Sequence, residues 1–307
     1  MSSRASAMSR TTTRISNSFE RKTVNRTDRG ALVNFTFTDR DFDRLRGLVR
    51  ELTGISLSEQ KRELVYGRLT RRLRALSFSS FKDYCDFLEQ NLDLELEHFT
   101  NSITTNLTSF FRENHHFEMI ASDPLKSWLM NRLGMNGKLR FWSAGSSTGE
   151  EAYSLAITLA ETIPDVFNKN VKILATDLDT NVINTGHNGV YPENRIDALS
   201  GERKKKWFQR GSGDSTGMVK VDERLRSMVT FNQLNLMGEW PMRGPFDVIF
   251  CRNVVIYFDK PTQGVLFNRY ADILCDDGVL FIGHSETMAE VCTRFDLVGK
   301  TMYRKIC

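Results

Sequence analysis

The sequence predicts an α/β fold: a doubly wound, Rossmann-like sheet that carries a small inserted antiparallel β subdomain and is preceded by an all-α N-terminal domain. Three observations predict it. The stretch LRFWSAGSSTGEEAY opens with an apolar run over 139–142, turns on Gly145 and Gly149, and continues with apolar residues at helical spacing, Ala152, Leu155, Ala156 and Leu159. Strand, glycine turn and helix in that order make a nucleotide-cradling βα unit. The run VKILATD, ending at Asp177, reads as the next strand closed by an acid. The run FDVIFCRN is a third buried strand and ends in Arg252 and Asn253, at the carboxyl edge where such sheets bind ligands.

With 307 residues the chain is long enough for two domains, and a hydrophobic fraction of 40% with 26% charged is ordinary for a soluble globular protein. No apolar run approaches the roughly 18 residues of a membrane span. Five cysteines, an odd number without C-x-x-C spacing, suggest reduced thiols in a cytoplasmic protein, and neither a disulfide frame nor a zinc site. Residues 1–33 are rich in Ser, Thr and Arg and read as a disordered basic tail. Seven basic residues against Glu20 and Asp28 give the tail +5 of a total of +4, so the remainder is about −1 and does not argue for a nucleic-acid surface.

Residues 34–114 read as a helical domain. Thr38 and Asp39 can cap a helix through Leu52 that Gly54 ends. A second helix spans 58–76, with Val65, Leu69, Leu73 and Leu76 on one face. Off that face lie Lys61, Arg62, Arg68, Arg71, Arg72 and Arg74, against Glu63 alone. Such density suggests an acidic partner, although a merely solvated face is the plainer reading. Helices follow over about 80–90 and 93–104. In TTNLTSFFRE, Asn106, Thr108 and Arg112 interleave with Leu107, Phe110 and Phe111, either as a capped loop with Thr108 as the cap or as a polar lip over a ligand. A linker helix is expected over 115–137. His115 and His116 invite a metal reading, but neighbouring side chains on a helix do not converge on one ion and no other ligands complete a set, so no metal is expected.

The sheet domain runs over 138–307 with the β subdomain inserted at about 188–226. There two short β runs, 207–210 and 218–221, flank the glycine-bearing turn Gly211–Gly217 and read as a hairpin whose edge could accept an extended peptide. The run VTFNQLNL returns to the sheet and presents Asn235 at its end, and His284 and Glu286 lie past a later strand end with nothing nearby to complete a catalytic set.

The glycine turn points to a ligand class. Its spacing is G-x-x-x-G, and Glu150 and Glu151 stand where a pyrophosphate would lie, so two fixed anions would repel another. A ligand that joins adenosine to positive charge, such as S-adenosylmethionine, fits better. The alternative that the two glutamates only favour the first helical turn stays open. Asp177 is placed to hold ribose hydroxyls, with Asp179 as its competitor.

KRELVYGRLTRRLRAL, ITTNLTSFFRE, WSAGSSTGEEAYS, ILATDLD, FNQLNL, FDVIFCRNVVIYF and DDGVLFIGHSE, in this order from about residue 35 onward, resemble the CheR-type chemotaxis receptor glutamate O-methyltransferases. Gly145 and Ala152 depart from the small residues and proline the family often has there. The resemblance implies S-adenosylmethionine as cofactor on a Rossmann-like methyltransferase sheet, with S-adenosylhomocysteine as product. It implies that Asn106, Thr108 and Arg112 contact or cover the methionine end. Glu151 would bind nearby with Glu150 beside it, Asp177 at the ribose, and Asn235 and Leu236 on the adenine side. Arg252 and Asn253 would close the pocket, and Tyr257 would lie near the transferring methyl. Arg112 and Tyr257 would be the catalytic, orienting groups. The implied partners are the cytoplasmic helices of a methyl-accepting chemoreceptor, met by the basic helix 58–76, and a receptor C-terminal peptide at the β subdomain. The enzyme would be a monomer that nears the membrane only through the receptor and uses no nucleic acid. Two rivals remain. A nucleic-acid methyltransferase would need an Asn/Asp-Pro-Pro-aromatic turn where this chain has Asn253-Val254-Val255, and a non-catalytic cofactor sensor would bind without transfer.

Overall fold

The computed structural model describes residues 34–307, and the tail expected over 1–33 lies outside them. Thr38 caps α1 (Asp39–Thr53) through a reciprocal box in which its hydroxyl accepts from the Asp41 N–H and the Asp41 carboxylate accepts from the Thr38 N–H. Gly54, at φ +75°, ends the helix in the left-handed region. A 3₁₀ turn, Glu59–Lys61, leads into α2 (Arg62–Ala75), followed by α3 (Phe81–Gln90) and α4 (Leu92–Ile103). Phe42, Leu45 and Val49 meet Val65, Leu69 and Leu73 in a buried core, so the one-face spacing read in α2 is the face that packs.

Helix does not continue to 114. Residues 104–109 carry no regular structure, and Phe111 and Glu113 both have φ of +54°, which an α-helix excludes. Thr108 therefore caps no helix, and the segment is a lip. The expected single linker helix is two, α5 (His115–Ala121) and α6 (Leu125–Asn136), because Pro124 between them has no N–H with which to continue α5.

The sheet domain begins with β1 (Lys138–Ala144), α7 (Glu150–Thr162), β2 (Asn170–Asp177) and α8 (Thr180–Asn188). The insert follows as β3 (Val190–Pro192), α9 (Gly201–Trp207), β4 (Phe208–Arg210), β5 (Met218–Val221) and α10 (Glu223–Arg226). The chain then completes β6 (Val229–Gln233), β7 (Phe246–Cys251), α11 (Lys260–Ile273), β8 (Leu274–Ile282), β9 (Phe295–Gly299) and β10 (Met302–Lys305). The large sheet has the order β6-β2-β1-β7-β8-β10-β9. Its first five strands are parallel, and β10 is antiparallel to both neighbours. Every residue of β7 is buried, as expected of a parallel strand covered on both faces. Strand order reverses between β1 and β7, the switch point where such sheets open a ligand crevice. The insert forms a sheet of order β3-β5-β4, with the hairpin read from sequence as its β4–β5 half and a helix, α9, packed into the same segment. No helix among the described residues is long and apolar enough to cross a membrane.

Candidate functional site

The β1–α7 turn is built by close approach. Gly145 and Gly149 have φ of +87° and +95°, and a Cβ on Gly145 would lie 2.3 Å from Cγ2 of Val254 in the loop after β7. The Ser147 N–H then donates to Oδ2 of Asp177 at 2.8 Å, and the Asp179 N–H to Oδ1 at 3.1 Å. Burial pushes the Asp177 carboxyl up to about 6, against the pull of those two N–H groups. Glu150 and Glu151 do not sit side by side, which corrects the sequence expectation. Successive helical residues point about 100° apart. Glu151 turns into the cleft, accepts from the Ser143 hydroxyl at 2.7 Å and pairs with Arg252 at 3.1 Å. Glu150 turns away, accepts from the Thr148 hydroxyl and pairs with Arg195 of the insert. Burial pushes the Glu151 carboxyl up, and the Arg252 guanidinium opposes that shift.

Arg252 is itself buried, and it also pairs with Glu113 at 3.4 Å and donates to the Arg112 carbonyl. Burial would raise the Glu113 carboxyl, but the His284 hydrogen bond at 2.8 Å and the Arg252 charge hold it down at about 2. Asn253 follows at φ +59°. Tyr257 ends a 3₁₀ turn, its carbonyl accepts the Ser56 N–H at 2.8 Å, and Nζ of Lys61 stands 4.8 Å from its ring centroid.

The lip is tied down from the sheet side. Asp179, the competitor for the ribose role, caps α8 through the Asn181 N–H and accepts from the Thr104 hydroxyl at 2.9 Å and the Asn106 amide at 2.7 Å. Asp177 is the acid left facing the cleft. Arg112 donates to the Leu107 carbonyl at 2.7 Å, and the Asn235 amide donates to the Leu52 carbonyl at 2.7 Å beside buried Leu236. Asn106, Thr108, Arg112, Glu151, Asp177, Asn235, Leu236, Arg252, Asn253 and Tyr257 line one cleft of about 1160 Å³ including its open mouth, and Glu150 does not. Sequence reading missed the part of the wall that the helical domain supplies: Ile55, Leu57, Lys61 and Leu64. It also missed Glu113, whose only signal was its place in the TTNLTSFFRE stretch. His115, His116 and Glu113 do come together, with ligand atoms within 4.8 Å of one another, because Glu113 precedes the helix and folds back. Glu113 is already engaged by Arg252 and His284, and Nε2 of His116 by Thr301.

The basic helix is corrected in part. Arg72 makes two hydrogen bonds, 2.6 and 2.7 Å, to Glu95, which is 2% exposed. Arg68 caps the end of α4 through the Ile103 and Thr104 carbonyls, and Arg62 bonds Asp39 and the Phe37 carbonyl. Much of the basic density read as an outward face is therefore internal scaffolding. Arg71 and Arg74 are exposed.

Residues 40–104 match the family described as "CheR methyltransferase, all-alpha domain", and residues 106–304 match "CheR methyltransferase, SAM binding domain". The chain belongs to the CheR methyltransferase family. It is 45% identical over 270 residues to chemotaxis protein methyltransferase 2 of Pseudomonas aeruginosa, covering 88% of this chain and 94% of that one. It is 41% identical over 268 residues to the chemotaxis protein methyltransferase of Escherichia coli, covering 87% and 91%, and 40% identical over 260 residues to that of Borreliella burgdorferi, covering 83% and 91%. This CheR-family chain is an S-adenosylmethionine-dependent methyltransferase. Its cleft fits that cofactor: the carboxylates Glu151 and Asp177 in the lining suit a cation and its hydroxyls, the Gly145 turn lets backbone approach closely, and Leu178, Leu234 and Leu236 offer apolar wall to a base.

Proposed function

We propose that this chain methylates glutamate side-chain carboxylates of bacterial chemoreceptors, leaving glutamate methyl esters. One observation carries the reading: a single cleft gathers the carboxylates Glu151, paired with Arg252, and Asp177 together with the cations Arg112 and Lys61. The carboxylates suit a cationic donor and its hydroxyls, and the cations suit an anionic acceptor. S-adenosylmethionine, when bound, supplies an electrophilic methyl group. A glutamate is already ionised at pH 7, so the enzyme needs no base. The protein's work is placement, holding acceptor oxygen and methyl about 3–3.5 Å apart while water is kept out. In this reading Asp177 holds the ribose, Glu151 the charged end, Asn235 and Leu236 the adenine side, and Asn106, Thr108 and Asn253 close over the ligand. Arg112 and Tyr257 orient the acceptor.

The partner surfaces belong to the same proposal. Receptor helices would lie along α2 at its exposed Arg71 and Arg74, while the free edge of β4 in the insert would accept a receptor C-terminal peptide by strand addition. The setting would be cytoplasmic, with the membrane reached through the receptor. The test is transfer of radiolabelled methyl to chemoreceptor fragments with and without their C-terminal peptide, followed by base treatment. Label released as methanol supports the ester. Label that resists base, or goes to nucleic acid in a salt-sensitive way, would overturn it.

A further inference from the structure

Glu286 takes no part in the reading above, yet its surroundings are unusual. It is 6% exposed and has no ion pair among the described residues. Its carboxylate is held by backbone alone: Oε2 accepts from the Gly283 N–H at 2.5 Å and the Asn253 N–H at 2.9 Å, and Oε1 accepts from the Ile256 N–H at 3.3 Å. Residues 253–256 are the turn between Arg252 and Tyr257, both of which line the cleft. Asn253 holds a left-handed conformation there, which non-glycine residues keep only when their surroundings enforce it. Consecutive N–H groups in such a turn make a concavity for an anion, and this chain fills its own concavity with a side chain. Space is tight, since a Cβ on Gly283 would lie 2.6 Å from Nδ2 of Asn253 and 2.9 Å from Oε2 of Glu286.

We propose that Glu286 is a positioning residue whose carboxylate locks the 253–256 turn, so that Asn253 and Tyr257 face the cleft where acceptor and methyl donor meet. A carboxylate suits this task because it only accepts, whereas a glutamine amide would turn an N–H toward at least one of these donors or leave that donor unpaired. The inference rests on the orienting role proposed for Tyr257.

The test uses the full chain as parent, Glu286→Gln, Tyr257→Phe and the double variant, with backbone amide exchange, calorimetric affinity for S-adenosylhomocysteine, and methyl-transfer rate as readouts. In Glu286→Gln, exchange over 253–257 is expected to quicken about tenfold or more while β7 and β8 stay protected. Transfer should slow by about thirtyfold, more than affinity weakens. Tyr257→Phe should cost less in the Glu286→Gln background than in the parent. Parental exchange would overturn the lock, whatever Tyr257 does. Quickened exchange with fully additive rate losses would overturn the positioning role. An active Tyr257→Phe single variant would instead remove the orienting role of Tyr257, and exchange would still judge the lock. If Glu286→Gln does not fold, Glu286→Asp, one methylene shorter, takes its place, with changed exchange and rate in support and parental values against.

Discussion

The proposed reading gives Tyr257 and Asp177 different jobs in the cleft, and their substitutions should separate. Tyr257 lines the cleft beside Lys61. Tyr257→Phe keeps the ring and removes one polar atom, so turnover should fall by about 10- to 100-fold while affinity for S-adenosylhomocysteine changes little. Equal losses in steady-state and calorimetric assays would contradict this. Asp177 should bind hydroxyls as an ionised acceptor, and its carboxyl is pushed up to about 6. Affinity for S-adenosylhomocysteine should therefore weaken as pH falls from about 7.5 through 6 toward 5, because protonation removes the charge and turns one accepting oxygen into a donor. Glu151, also pushed up by its burial, acts in the same direction. Asp177→Asn should cost about tenfold or more in affinity at pH 7.5 and reduce this pH slope without abolishing it. Calorimetry across that range with both proteins decides it.

Charge on α2 divides into scaffold and surface, and the two parts predict opposite phenotypes. Arg72 supports buried Glu95, which also accepts from the Tyr84 hydroxyl at 3.0 Å. Arg72→Ala would strand that carboxylate and should cost about 2–3 kcal/mol, somewhat less than a fully buried pair because Arg72 is partly exposed. Chemical denaturation measures it. Arg71→Glu should leave stability and S-adenosylhomocysteine affinity unchanged and raise the KM for receptor fragments; an unchanged KM would remove α2 from the receptor surface. The pattern of α2 showed which side packs, because apolar spacing is local. It could not show which arginines are used internally, because their partners, Glu95 and the carbonyls of Ile103 and Thr104, come from another helix. Around the lip, Pro124 marks the break that the single-helix reading of 115–137 passed over, and the positive φ of Phe111 and Glu113 left no compositional mark.

Across the whole molecule, the cleft exists because the helical domain roofs the sheet. Two sets of ties hold the roof. Thr104 and Asn106 reach Asp179 on one side; on the other, the Asn235 amide meets Leu52, the Ser56 N–H meets Tyr257, and Arg50 pairs with Asp259 at 2.7 Å. Gly54 sits within the second set at φ +75°, where a Cβ would lie 2.6 Å from Cγ of Met237. Gly54→Val should loosen that side and speed release of S-adenosylhomocysteine by about tenfold, with the sheet domain still folded. Stopped-flow release and circular dichroism together test it, and parental release would mean the roof does not limit exit.

The sequence by itself determined the strand–glycine turn–helix unit, the acid after β2, the polar pair after β7 and the family. Each is written in a short run of neighbours whose spacing sets local geometry. Only the tertiary structure decided that Glu151 and not Glu150 faces the cleft, that Asp179 is consumed by the lip while Asp177 is left open, that Arg68 and Arg72 serve the scaffold, and that Lys61 and Ile55 help to wall the site. Those outcomes depend on which groups far apart in the chain meet within hydrogen-bonding distance, and a partner's identity is not encoded in the residue that waits for it.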